Sequence, residues 1–138
     1  MSPSANASAT SQLESLLALA NEFLRAGQPR NAITPLRDAA RLQPTNPMIH
    51  HDLGLACLEA GRIEDAIEAL QRAVDTDPGY SDVHFRLGIA LEKAGNIGGA
   101  IAAYHRATAL LPSLTEAWFR AGALVYELGH REEALSPI

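Results

Sequence analysis

The chain has 138 residues, 47% of them apolar, but 25 are Ala and 19 Leu against only 3 Val, and aromatic residues make up 5%. Ala and Leu favour helices while β-branched and aromatic residues favour strands, so the composition predicts one all-α domain and excludes a multi-domain enzyme or a disulfide-stapled miniprotein. The 16 acidic residues outweigh the 11 basic ones, a net charge of −5 that repels phosphate backbones and anionic lipid and argues against nucleic acid or a membrane as partner.

Residues 1–12, MSPSANASATSQ, contain no basic residue and no apolar run of signal-peptide length, and they read as a disordered tail. No run of 18 apolar residues occurs after them, so no membrane span is expected. The single cysteine, Cys57, cannot form an internal disulfide and reads as a small buried thiol in a reducing compartment, which with the missing targeting signal points to the cytoplasm.

From Leu13 the chain repeats itself. Gly27, Gly61, Gly95 and Gly129 are spaced by 34; so are Ala32, Ala66, Ala100 and Ala134; so are Pro44, Pro78 and Pro112. In that register the units are residues 13–46, 47–80 and 81–114, with an incomplete unit over 115–138. Within a unit the apolar residues step by three and four on both sides of the glycine. Leu53 and Cys57 precede Gly61, and Ile63, Ala66, Ile67, Leu70, Ala73 and Val74 come after it. Each unit therefore predicts two amphipathic helices.

Glycine suits a left-handed helix end, and proline disfavours helix in the residue before it, so the four glycines are expected to close first helices and the prolines to follow second helices. Small residues at place eight (Ala20, Gly54, Gly88, Gly122) and the alanines at place twenty are expected to face each other and let the helices of a pair approach closely. Gly98 and Gly99, near the start of a second helix, are expected to fray. Ile138 falls part way through a second helix whose apolar face needs a cover. The expectation is an N-terminal fragment of a longer protein, with burial of the open end by a second copy, a homo-oligomer, as the alternative.

The pattern of Leu-Gly at places seven and eight, Ala at twenty and twenty-seven, and Pro at thirty-two resembles the tetratricopeptide repeat. Leu53, Gly54, Ala66, Ala73 and Pro78 carry it in the second unit, and Leu87, Gly88, Ala100, Tyr104, Ala107 and Pro112 in the third. Leu19, Phe23, Ala32, Ala39 and Pro44 carry it in the first unit, with Ala20 in place of Gly, and Trp118, Gly122, Gly129 and Ala134 in the fourth. The resemblance implies a right-handed α-solenoid of antiparallel helix pairs whose first helices line a concave face. The groove positions it implies are Leu17, Asn21 and Leu24, then Met48, His51, Leu55 and Leu58, then Asp82, Phe85, Ile89 and Glu92, and last Glu116, Phe119, Ala123 and Tyr126.

Apolar residues at helical spacing ordinarily fill a core, but Ile49, Leu53, Ala56, Cys57 and Ala60 already supply it in the second unit, leaving Met48, Leu55 and Leu58 in surplus. A surplus apolar stripe rimmed by charge points to a protein or peptide ligand, either an amphipathic helix or an extended apolar peptide. The family's clamp for a terminal carboxylate requires Lys, Asn, Asn, Lys and Arg where this chain has Leu17, Asn21, Asp52, Asp82 and Arg86. Its asparagine ladder would fall on Ala18, Asp52, Arg86 and Arg120 and is missing. Arg86 and Arg120 remain candidates to hold an acidic group of a ligand, although ion pairs with Asp52, Asp82 or Glu116 on a solvated face explain them as well.

No catalytic, cofactor or metal site emerges. His50 and His51 are neighbours on a helix and point about 100° apart, so one metal cannot take both. His50 and His84 share the place that Trp118 holds in the fourth unit, which reads as interface packing. Glu64, Asp65 and Glu68 suit the start of a second helix. The chain reads as a protein-interaction module without catalysis of its own. The alternative is a substrate-recognition or oligomerisation arm of a glycosyltransferase- or sulfotransferase-type enzyme whose catalytic domain lies beyond residue 138.

Overall fold

The computed structural model describes the backbone of residues 3–135 and the side-chain surroundings of residues 7–133. Seven helices run in order: α1 (Pro3–Arg25), α2 (Pro29–Leu42), α3 (Pro47–Glu59), α4 (Ile63–Thr76), α5 (Ser81–Lys93), α6 (Ile97–Leu110) and α7 (Thr115–Leu135). No strand occurs among the described residues. Each helix packs on its neighbours in sequence, and α3 also touches α5, so the structure is a helical-repeat solenoid with α1, α3, α5 and α7 on one side.

Three of the four glycines end their helices as expected. Gly27, Gly61 and Gly95 have φ of 71°, 78° and 84°, a conformation in which a Cβ is strained. The next amide donates back to the helix in each case: Gln28 to the Phe23 carbonyl, Arg62 to Cys57 and Asn96 to Leu91, at 2.8, 2.8 and 2.9 Å. This is the Schellman closure of a helix end.

Four expectations need correction. Residues 3–12 are helical rather than a disordered tail: Pro3 opens α1 with a preset φ, alanines recur every second residue, and nothing inside breaks the run. Gly129 closes nothing, because α7 continues through it to Leu135; Ala134 and residues 136–138 lie outside the described side chains. What lies nearest the glycine at place eight is a large side chain rather than an alanine. A Cβ on Gly54 would stand 2.5 Å from Leu70 Cγ, and one on Gly88 would stand 2.6 Å from the Tyr104 ring. The bare glycine is a notch for the large side chain at place twenty-four. Finally, Gly98 and Gly99 sit in a capped first turn, where the Gly99 amide donates to Asn96 Oδ1 at 2.9 Å and satisfies a donor that fraying would release.

Two buried clusters share the interior. Ala32, Leu36, Leu53, Cys57, Leu70 and Leu87 belong to one that spans α1 to α6, and Phe85, Ile89, Tyr104, Ala117, Ala121 and Leu124 belong to one that joins α5, α6 and α7. Successive units are also pinned by one device. The Nε2–H groups of His50 and His84 donate to the carbonyls of Pro44 and Pro78, both at 2.7 Å, and Trp118 Nε1 donates to Pro112 at 2.9 Å. A carbonyl only accepts, so both imidazoles carry their proton on Nε2. Their shared place is thus a packing and anchoring site.

Candidate binding face

Charged residues on the first helices link one unit to the next. His51 on α3 is buried, and its Nε2 donates to Asp82 Oδ2 on α5 at 2.8 Å while Nδ1 lies 3.4 Å from Asp52 Oδ1. The Asp52 carboxylate, opposed by burial and joined by Asp82, holds the imidazole above its ordinary pKa of 6.5. Asp82 also pairs with Arg86 at 3.5 Å.

One unit further on, Tyr104 on α6 donates to Glu92 on α5 at 2.8 Å, and Arg120 on α7 reaches the same carboxylate oxygen at 3.7 Å and Glu116 at 3.3 Å. Burial, and next the Glu92 carboxylate, push the Tyr104 hydroxyl well up. The Arg86 and Arg120 guanidiniums lie 5.6 and 6.0 Å from the centre of the Phe85 ring. Both arginines are therefore ion-paired within the face, as the ion-pair reading of the sequence anticipates, although Arg86 Nε is buried without a hydrogen bond, and at this exposure such pairs contribute about 1 kcal/mol or less.

The apolar positions divide. Phe85 at 4% exposure, Ile89 at 9% and His51 at 7% are interior, which corrects their assignment to a groove surface. Phe85 and Ile89 pack with Tyr104 and the α7 alanines, because the small Ala117 and Ala121 let α7 close over them. Leu17, Leu24 and Leu58 are half-buried against the core, Leu55 is half-buried, and Asn21 and Met48 are exposed. On α7 the side chains stand free: Phe119 and Tyr126 are each 74% exposed, with exposed Ala123 between them. Below them is a cleft of about 300 Å³ bordered by Glu92, Glu116, Arg120, Leu124 and Glu127.

Leu124 and Glu127 escape the sequence reading, since they fall outside the inherited groove places. The signal that finds them is the helical spacing from Arg120, one turn on for Leu124 and two for Glu127. Tyr126 stacks on His130 with centroids 6.1 Å apart, a contact that requires α7 to pass through Gly129.

Among the described residues no group of His, Cys, Asp and Glu is arranged to hold a metal, and no helix is long and apolar enough to cross a membrane. Cys57 is buried, and that burial raises its thiol pKa, which suits a structural thiol.

Two family models described as tetratricopeptide repeat match the chain, one over residues 17–81 and 85–137 and the other over 58–107. No curated protein matches. Among solved structures, a crystal structure of MamA is 30% identical, with a TM-score of 0.82 over 89% of this chain and 72% of that one. An O-GlcNAc transferase of Thermobaculum terrenum is 28% identical, with a TM-score of 0.72 over 85% of this chain and 22% of that one. The second TPR domain of human RPAP3 shares the fold at 21% identity, with a TM-score of 0.78 over 84% and 97% of the two chains. With both helices of three successive units and most of its length under one family description, the chain belongs to the tetratricopeptide repeat family.

Proposed function

We propose that the chain is a protein–protein interaction module that seats an amphipathic helix or an extended apolar peptide on the side formed by its first helices, against Phe119, Ala123 and Tyr126. The observation that carries this reading is the pair of aromatic side chains, both 74% exposed, seven residues apart on one face of α7 beside a cleft of about 300 Å³. Large exposed aromatics in a row are the usual anchors of a partner interface. The likeness to the RPAP3 domain, solved with the HSP70 peptide SGPTIEEVD, supports peptide seating by this fold. The chemistry differs here, because Leu17 and Asp82 stand where an acid-ended tail requires lysines, and Asp52 stands where it requires an asparagine.

Phe119→Glu combined with Tyr126→Glu tests the reading. Helicity by circular dichroism is expected to persist, since both side chains are exposed, while capture of partners from source cells is lost. Retained capture would sink the proposal. Phe85 is spared because a buried carboxylate there would unfold the protein.

The likeness to the Thermobaculum transferase favours a second reading, in which the same face is the recognition arm of a larger enzyme. A downstream catalytic motif in the open reading frame decides between the two. Trp118, Val125 and Leu128 leave a further exposed apolar strip on α7 that a second copy can cover, and sedimentation equilibrium of the chain checks this.

A further inference from the structure

A larger cavity lies away from the proposed face. It occupies about 380 Å³ between α2 and α4, with α3 beneath, a size within the range of small-molecule pockets. Its floor and wall are apolar: Leu53, Cys57 and Ala69 are buried, and Ala40 is half-buried. The repeat provides an internal control. One period on, Ala40 and Cys57 become Val74 and Leu91, which carry more side-chain volume, and Arg37 and Arg41 become Gln71 and Asp75. The cavity and its basic rim are thus particular to this interval rather than a general consequence of stacking helix pairs.

The charges specify the ligand. Asp65 is paired with Arg37 at 3.3 Å and Glu68 with Arg72 at 3.0 Å, so both carboxylates bordering the cavity are neutralised. Arg41 also borders it, but its partner, Asp38 at 2.9 Å, does not. One guanidinium therefore remains without a counter-charge in the cavity, in a chain whose net charge is −5. Its planar fork suits a carboxylate, and the exposed pair with Asp38 is weak enough to be exchanged. The geometry points to a binding site for one compact apolar monocarboxylate, its body on Leu53, Cys57 and Ala69 and its carboxylate on Arg41.

Benzoate serves as the probe, with benzamide as its neutral counterpart, acetate as the carboxylate without a body, and inorganic phosphate as a bare anion. Amide chemical-shift titration of the intact chain is expected to show saturable benzoate binding centred on Ala40, Leu53 and Ala69. Benzamide and acetate should each bind roughly tenfold more weakly, as should benzoate to Arg41→Gln. Ala40→Val with Cys57→Leu fills the cavity with the residues that the next interval already uses, and benzoate binding is expected to be lost. Equal binding of benzamide overturns the carboxylate assignment. Equal binding of acetate or phosphate reduces the site to a surface anion contact and overturns it as well. Retention of benzoate by the filled variant places the probe elsewhere, and no saturable shift removes the site altogether. Arg41→Gln leaves the core untouched, so a folding defect in the filled variant does not shield the inference.

Discussion

Gly61 and Gly129 occupy the same place in their units, yet Gly61 ends α3 at φ 78° while Gly129 lies inside α7. The difference lies in the residues C-terminal to each glycine. After Gly61, α4 runs for 14 residues and packs Leu70 into the notch at Gly54, so burial repays the hydrogen bonds that a helix end gives up. After Gly129 no described helix returns to pack at place eight. Continuing α7 keeps the backbone bonds instead. A glycine at a helix end is permission to turn, and the returning helix supplies the reason. The same contrast appears at place eight, where a Cβ on Gly88 strikes Tyr104 but one on Gly122 meets nothing within 4 Å.

The strongest way to break this comparison is overpacking. Gly88→Leu is expected to destabilise the chain by about 1–3 kcal/mol in denaturant unfolding, because the Tyr104 ring has no room to retreat between α5 and α6. Gly122→Leu, on the open face of α7, should change stability by less than about 0.5 kcal/mol or gain from helix propensity. Equal losses at both sites would show that the notch is not what distinguishes the inner pairs.

Pro35 sharpens the comparison among the inner units. It is buried inside α2, where the ring removes a hydrogen bond, while the same place carries Ala69 and Ala103 in the next two units. Pro35→Ala restores the bond at the expense of a more flexible unfolded chain, and a net gain of about 1–2 kcal/mol is expected in thermal unfolding. An unchanged midpoint would mean that α2 has adapted fully to its proline.

Alanine at the two equivalent glycines should act with opposite signs. Gly61→Ala forces a Cβ into left-handed backbone and is expected to lose about 1 kcal/mol, whereas Gly129→Ala in continuous helix is expected to gain about 0.5–1 kcal/mol of helix stability. Losses at both sites would mean that Gly129 turns the chain after all.

The periodicity of Gly, Ala and Pro was enough to read six helices and their pairing, because each signal acts within a few residues and repeats in register. What it could not read depends on partners distant in sequence. Phe85 and Ile89 sit at groove places but are interior, since Ala117 and Ala121 on the next helix admit α7 over them. The cavity beside Arg41 becomes visible in sequence only when Ala40 and Cys57 are set against Val74 and Leu91, a comparison of volumes rather than of polarity.

The smallest expected effect separates the two links between first helices. The α5 to α7 link runs through Arg120, which keeps its charge at every working pH, while the α3 to α5 link runs through His51, whose pKa is raised by the Asp52 and Asp82 carboxylates against the effect of burial. A group with a raised folded pKa favours the folded state most when it is protonated. Its contribution is thus fully present below the unfolded value near 6.5 and declines as pH rises through the higher folded value. Arg86 shares Asp82 with His51 and weakens the pull, so the contribution should stay below about 1 kcal/mol. Denaturant unfolding of the chain and of His51→Gln on both sides of that window isolates it: the parent should lose stability relative to the variant as pH rises. A difference that is flat, or that grows with pH, would show that the imidazole enters the fold neutral and that the α3 to α5 link does not depend on its charge.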